Sequence, residues 1–170
     1  MTNDNIAGID GLDDEAVDAD AISPELLNMA MAEFDFAGVV DEYPTYRIEE
    51  TLEALEELRI PFMAAARREG KRNPLSEFYN VANAPIFAKR KKFQAELEEL
   101  SADDPDYYYI QRQVENLTEL LVRFNYGMAR KYVRNFTSHT SSDDSADFQG
   151  AANVGLMYAI HTFDPDKGKF

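Results

Sequence analysis

Between Pro105 and Phe136 the apolar residues Ile110, Val114, Leu117, Leu121, Phe124 and Met128 alternate steps of four and three. That spacing draws a single stripe along one helix and predicts a long helix with its stripe against a core. A second periodic run, Phe148, Ala152, Leu156, Ile160 and Phe163, predicts a final helix over Asp147 to Phe163. Between the two lies a Ser/Thr/Asp loop, Thr137 to Ala146, and after them Asp164 to Gly168 reads as a tight turn.

Upstream the pattern is helical but more broken. Leu52, Leu55, Leu58 and Phe62 recur at helical spacing within residues 45 to 69, with glutamates on the opposite face. Pro61 predicts a kink or break, followed by a short helix from Phe62 to Glu69. Four basic residues surround Gly70, and Asn73-Pro74 marks a turn. Two apolar clusters, Phe78-Tyr79-Val81 and Ile86-Phe87, flank Asn83-Ala84-Pro85; a helix then runs from Lys89 to Leu100, and Ser101 to Asp106 is a polar break. Near the N-terminus, Ser23-Pro24-Glu25 reads as a helix start, with Ser as N-cap. The helix it opens carries Leu26, Leu27, Met29, Met31 and Phe34 and is expected to end near Gly38. No strand-period segment of useful length appears. The expected fold class is all-α: a helical bundle with a long antiparallel hairpin, divided as an acidic disordered tail (1–22), a helical N-terminal part (23–104) and the hairpin (105–170).

Charge sharpens the division. The chain of 170 residues has a net charge of −15, and Met1 to Tyr46 holds twelve Asp and Glu with no Lys or Arg. From Arg47 onward 17 basic residues face 20 acidic ones. The first residues therefore have the composition of a solvated tail, and the net charge counts against autonomous DNA binding. The absence of cysteine excludes a disulfide framework and thiolate metal sites. There is no signal-peptide pattern in Met1 to Asp20 and no apolar run of about 18 residues, so the expected location is the cytoplasm.

Candidate chemistry is sparse. His139 and His161 are the only histidines, and neither has metal-ligand spacing to a partner. Asp164-x-Asp166-x-Gly168 imitates the opening of a calcium loop, but Pro165 and the lack of downstream ligands argue against one. Lys89 to Lys92 is the densest basic patch, read as a solvated helix start sooner than a phosphate contact. Tyr107, Tyr108 and Tyr109 read as a half-buried helix N-terminus sooner than a stacking platform. Neither a phosphate loop nor a nucleophile elbow is present, so no enzyme, metal or cofactor is expected.

The last fifty residues carry the sharper signal. Leu121-Val122-x-x-Asn125 and Ala129-Arg130-Lys131-Tyr132 lead into the loop. After it come Asp147-Phe148, then Asn153-Val154-Gly155-Leu156-Met157-x-Ala159-Ile160, and finally Phe163-Asp164-Pro165-x-Lys167-Gly168-x-Phe170. In order and spacing this resembles region 2 of the sigma-70 family of bacterial transcription initiation factors. There a helix of the type "LV..N…A.KY" leads into "DLIQEGNIGLMRAV" and then "FDP..G..F". The resemblance implies an antiparallel hairpin that docks on the clamp coiled coil of the largest subunit of bacterial core RNA polymerase. Carried over by position, it implies polymerase-binding roles for Asp147, Gln149, Gly150, Asn153 and Met157, and nucleic-acid-binding roles for Lys167, Lys169 and Phe170. Asn125, Leu156, Ala159, Ile160 and Phe163 fall on structural positions. The family's Gln-Glu pair is Gly150-Ala151 here. Promoter DNA is implied as a partner only within the holoenzyme and only with residues beyond Phe170, so a fragment of a longer factor is the expected reading. The alternative is a helical regulator or adaptor without sigma activity, whose acidic tail binds a basic partner or mimics DNA.

Overall fold

The computed structural model describes residues 34–137, 142–168 and 170. They form five helices and no strand: α1 (Phe36–Glu42), α2 (Ile48–Arg68), α3 (Pro74–Glu99), α4 (Tyr107–Thr137) and α5 (Ser142–Thr162). The fold is all-α. The expected tail over residues 1–22 and the helix start at Ser23 lie outside the described residues.

Helix α3 is the hub, touching α1, α2 and α4, and α4 in turn carries α5. Short connections force neighbours to run antiparallel. Side-chain pairs confirm it between α3 and α4. Asn83 bonds Asn125, and seven residues later Arg90 bonds Thr118, seven residues earlier. The core is continuous across all five helices. Phe36 and Val40 of α1, Leu55 and Phe62 of α2, Phe78, Ile86 and Phe87 of α3, Leu117, Leu121 and Phe124 of α4, and Leu156 and Ile160 of α5 are all buried. Its α1-proximal half is aromatic: Phe36, Phe62 and Phe78 meet edge-on or tilted with centroids 5.6 to 5.8 Å apart. The α4 stripe faces this core, with Val114 and Met128 half-buried at its margins.

Several helix boundaries differ from the sequence expectations. The first concerns Gly38, which lies inside α1 and does not end a helix. Asp35 is the N-cap, and its Oδ1 accepts from the Gly38 N–H at 2.8 Å. A Cβ on Gly38 would stand 2.3 Å from Asp35 Oδ2, so the cap requires a glycine there.

Pro61 does not end a helix either, because α2 is one helix through it. The proline is exposed while Leu55, Phe62, Ala65 and Ala66 are buried on the other side. Likewise α3 is a single 26-residue helix through Pro85, and Asn73-Pro74 is its N-cap and first residue instead of an isolated turn. An interior proline costs about 3 kcal/mol. Full burial of one large apolar side chain contributes about 1.5 to 3 kcal/mol, and Phe78, Ile86 and Phe87 are all buried in α3. Packing on both sides of each proline therefore outweighs the lost hydrogen bond.

The final helix begins at Ser142, earlier than Asp147, so Asp147 is an interior residue and caps nothing. Phe148, which the periodicity assigns to the core face, is 45% exposed. Steps of four residues drift about 40° on a helix, so three steps put Phe148 about 120° from Ile160. Only Leu156 and Ile160 hold the centre of that face.

The most constrained polar feature is the Asn83–Asn125 pair. Each side-chain amide donates to the other's oxygen at 2.8 Å, and Asn125 Nδ2 also donates to the Leu121 carbonyl at 2.8 Å. Both residues are essentially inaccessible to water. Removing one partner strands the other's buried amide, so Asn125→Ala should cost about 1 to 3 kcal/mol in urea unfolding. The Asn83→Leu, Asn125→Leu double variant should lose less than the sum of the single changes. Simple additivity would mean that the pair is not coupled.

Candidate docking surface

Helix α5 is held along one side and bare along the other. Leu156 and Ile160 are buried against the core, with Ala152, Ala159 and Phe163 half-buried beside them. Phe163 and Phe170 close over Phe87, with ring centroids 4.5 and 4.8 Å from it. The opposite side is exposed, yet Asp147 is its only carboxylate between Asp147 and Thr162. Val154 is 70% exposed, Tyr158 71% and Met157 39%. Asp147, Gly150, Val154, Met157 and His161 repeat in steps of three, four, three and four and are all exposed. That spacing aligns them as one narrow stripe, the kind a straight partner helix can lie along.

The residues for which the resemblance implies a polymerase contact distribute around this stripe. Asp147, Gly150 and Met157 lie in it. Asn153 is half-buried at its edge and accepts from Gln149 Nε2 at 3.0 Å. Gln149, also half-buried, is occupied by that bond. A Cβ on Gly150 or Gly155 would meet nothing within 4 Å, so neither glycine serves a close approach among the described residues. Gly155 instead borders an open groove of about 790 Å³ between α4 and α5, whose other walls include Met128, Tyr132, Ala159 and Phe170.

Of the expected nucleic-acid-binding residues, Phe170 is packed on Phe87 and Phe163. Lys167 is exposed, and its Nζ lies 3.3 Å from Asp164 Oδ2. Lys169 lies outside the described residues, as does His139.

The Lys89–Lys92 patch is neither a helix start nor a free basic surface, because it sits in the body of α3. Lys89 Nζ donates to the Val40 carbonyl and pairs with Asp41, both at 2.9 Å. Arg90 is buried. It donates from Nε to Thr118 Oγ1 at 2.8 Å and reaches the Ile160 carbonyl at 3.4 Å and His161 Nδ1 at 3.3 Å. Burial lowers its pKa from the ordinary value. Its bond requires His161 Nδ1 to be the unprotonated nitrogen. Arg90 thus straps α3 to α4 and to the end of α5. The tyrosines at the start of α4 are split, Tyr107 half-buried and Tyr108 and Tyr109 exposed.

Beyond α5 the chain makes the expected turn, with the Lys167 N–H donating to the Asp164 carbonyl at 3.0 Å. Lys91 binds Asp164 and Asp166 together, which ties this turn to α3. Among the described residues no cluster of three potential metal ligands occurs, and no helix is long and apolar enough to cross a membrane.

No known protein-family model matches this chain, and neither the curated proteins nor the solved structures yield a match.

Asp164 carries the measurable electrostatic signature of this region. Its pKa is lowered from 3.8 to about 2, first by the Asp166 backbone N–H and then by Lys91 and Lys167. A depressed folded-state pKa means that its stabilising contribution is complete above the unfolded value and is lost as pH falls through about 2. Lys91 is shifted up by the same carboxylates, so its contribution holds below its ordinary pKa and fails only in strong base. A carbon-detected NMR titration should place the Asp164 midpoint near 2. In Lys91→Ala the midpoint should move up toward, but not reach, 3.8, because the backbone donor remains. An unmoved midpoint would show that Lys91 does not hold the turn.

Proposed function

We propose that this chain is a polymerase-docking module of the sigma type. In this reading the exposed stripe of α5 lies along the clamp coiled coil of bacterial core RNA polymerase. The observation that carries it is the stripe itself: five exposed positions at alternating three- and four-residue spacing, on a helix fixed by Leu156 and Ile160. A rigid helix that leaves Val154, Met157 and Tyr158 exposed on its outer side is suited to helix-on-helix burial. The motif order over the last fifty residues supports the choice of partner. The role is one of binding, without a catalytic step or cofactor of its own, and its setting is the bacterial cytoplasm. Promoter DNA enters only in the holoenzyme and with residues following Phe170.

The Gln-Glu pair of the resembled family is Gly150-Ala151 here, so this interface rests more on Val154 and Met157 than on polar groups. Asp147 remains as its exposed acid. A pull-down with purified core polymerase tests the proposal, using the chain and an Asp147→Arg, Met157→Arg double variant. Both positions are exposed, so the variant should unfold at the temperature of the unmodified chain. Its affinity should fall at least about tenfold, the equivalent of about 1.4 kcal/mol. A folded chain that does not bind polymerase would give the lead to an adaptor that offers the same stripe to a different helix.

A further inference from the structure

The bare side of α5 is complementary to itself. In an antiparallel helix pair, facing residues have numbers with a constant sum, as in α3 and α4, where Asn83 meets Asn125 and Arg90 meets Thr118. A second α5 laid antiparallel on the first, Val154 on Val154, sets Asp147 opposite His161, Gly150 opposite Tyr158 and Ala151 opposite Met157. An acid faces an imidazole, and each large side chain faces a small one.

These positions are all exposed. At about 100° per residue they span about 120° of the helix, centred on Val154, and buried Leu156 lies about 200° round from that centre. The face therefore turns away from the core, where a partner helix can lie along it. Val154 is 70% exposed and Tyr158 71%, so the centre of the face has apolar area to bury. Gly150 leaves room for the opposing ring, since an added Cβ there would meet nothing within 4 Å.

The polar ends of the face match in chemistry as well as in place. His161 Nδ1 accepts from Arg90 at 3.3 Å, so the neutral ring carries its proton on Nε2. The acids that share a groove with His161, Glu115 and Glu119, pair with Arg112 and Arg123. Asp147 forms no ion pair among the described residues. Its carboxylate is an acceptor and His161 Nε2–H a donor, and two-fold symmetry forms that bond twice, once at each end. A parallel pairing would instead set Asp147 against Asp147, and facing like charges oppose association.

We infer that this face binds a second copy of the chain, in an antiparallel two-fold dimer through α5. Charge and size complementarity select this occupant, because the acid, the imidazole, the small residues and the large ones are all supplied by one helix at matching distances from Val154. The dimer covers Asp147, Val154 and Met157, the same residues offered to the clamp coiled coil. Self-association thus closes the docking face until polymerase competes for it. That regulatory consequence rests on the polymerase reading, whereas the pairing itself does not.

The first test uses the full chain without polymerase. In sedimentation equilibrium its mass should rise from 19.3 kDa toward twice that value as concentration increases. Val154→Arg sets two guanidinium groups against each other at the centre and should weaken association at least about tenfold. The chain has no cysteine, so introduced cysteines report the register. Val154→Cys should cross-link to itself under mild oxidation. Asp147→Cys should not, because its two copies would stand about 21 Å apart at about 1.5 Å per residue, beyond disulfide reach. Mixed with His161→Cys, it should cross-link. Circular dichroism melting confirms that each variant is folded. A folded chain that stays monomeric at every concentration, association untouched by Val154→Arg, or self-linking of Asp147→Cys would each overturn the dimer. In a polymerase pull-down, the oxidised Val154→Cys dimer should be captured at least about tenfold less than its reduced form. Equal capture would overturn the masking. No capture of the unmodified chain would remove the docking role, and the masking with it, while the dimer stands on its sedimentation.

Discussion

The antiparallel pairing of α3 with α4 is the constraint on which the rest of the structure hangs. Apolar packing alone specifies register loosely, since a core tolerates hydrophobic exchange where total volume and patterning are kept. The Asn83–Asn125 pair fixes the register. Any other register would bury two amides without partners, at a penalty of about 1 to 3 kcal/mol for each. Arg90 repeats the constraint two turns along, through Thr118. It then extends the constraint to α5 through the Ile160 carbonyl and His161. Register between α3 and α4 therefore fixes where α5 lies, and with it which residues of α5 face outward.

The same logic explains how two dissimilar surfaces coexist on a small bundle. At one end three of four consecutive cations are paired or buried. Lys89 ties α3 to α1, Arg90 straps three helices, and Lys91 holds the turn after α5. These residues are consecutive, and each has a separate structural task. At the other end Arg67, Arg68, Lys71, Arg72, Arg130, Lys131 and Arg134 are exposed and hold no ion pair among the described residues. Exposure alone does not separate the groups, because Lys91 and Arg123 are themselves partly exposed. Having a partner inside the fold separates Lys89, Arg90 and Lys91 from them, while the neighbouring Lys92 is exposed.

The α4 stripe and the turn after α5 are legible in the sequence because both rest on local rules, helical periodicity in one case and turn chemistry in the other. Pro61 and Pro85 mislead. There a local penalty of about 3 kcal/mol is real but smaller than the burial on either side, and burial depends on which helices meet. Lys89 to Lys92 reads as one basic patch, whereas Lys89, Arg90 and Lys91 serve different neighbours around α3 and Lys92 is exposed. The converse error hides the basic end. Its residues come from two stretches some sixty positions apart, which only the antiparallel return of α4 brings together. In α5 the motif locates Asp147, Gly150 and Met157 on the bare side, but it gives no sign that Gln149 is engaged with Asn153.

The character of α5 is the strongest physical reason to look for a partner helix. An ordinary surface helix carries its charges outward. Here the outward side holds Ala151, Val154, Met157 and Tyr158, and Asp147 is its only carboxylate within the span from Asp147 to Thr162. Its inner side is apolar as well, so burial against α4 accounts for only half of the helix. The bundle does not use Gly150 and Gly155 for any close approach. Two glycines in a helix interior cost about 1 kcal/mol each relative to alanine. Nothing within the described fold offsets that cost. The close seating of another helix on the bare side would offset it from outside.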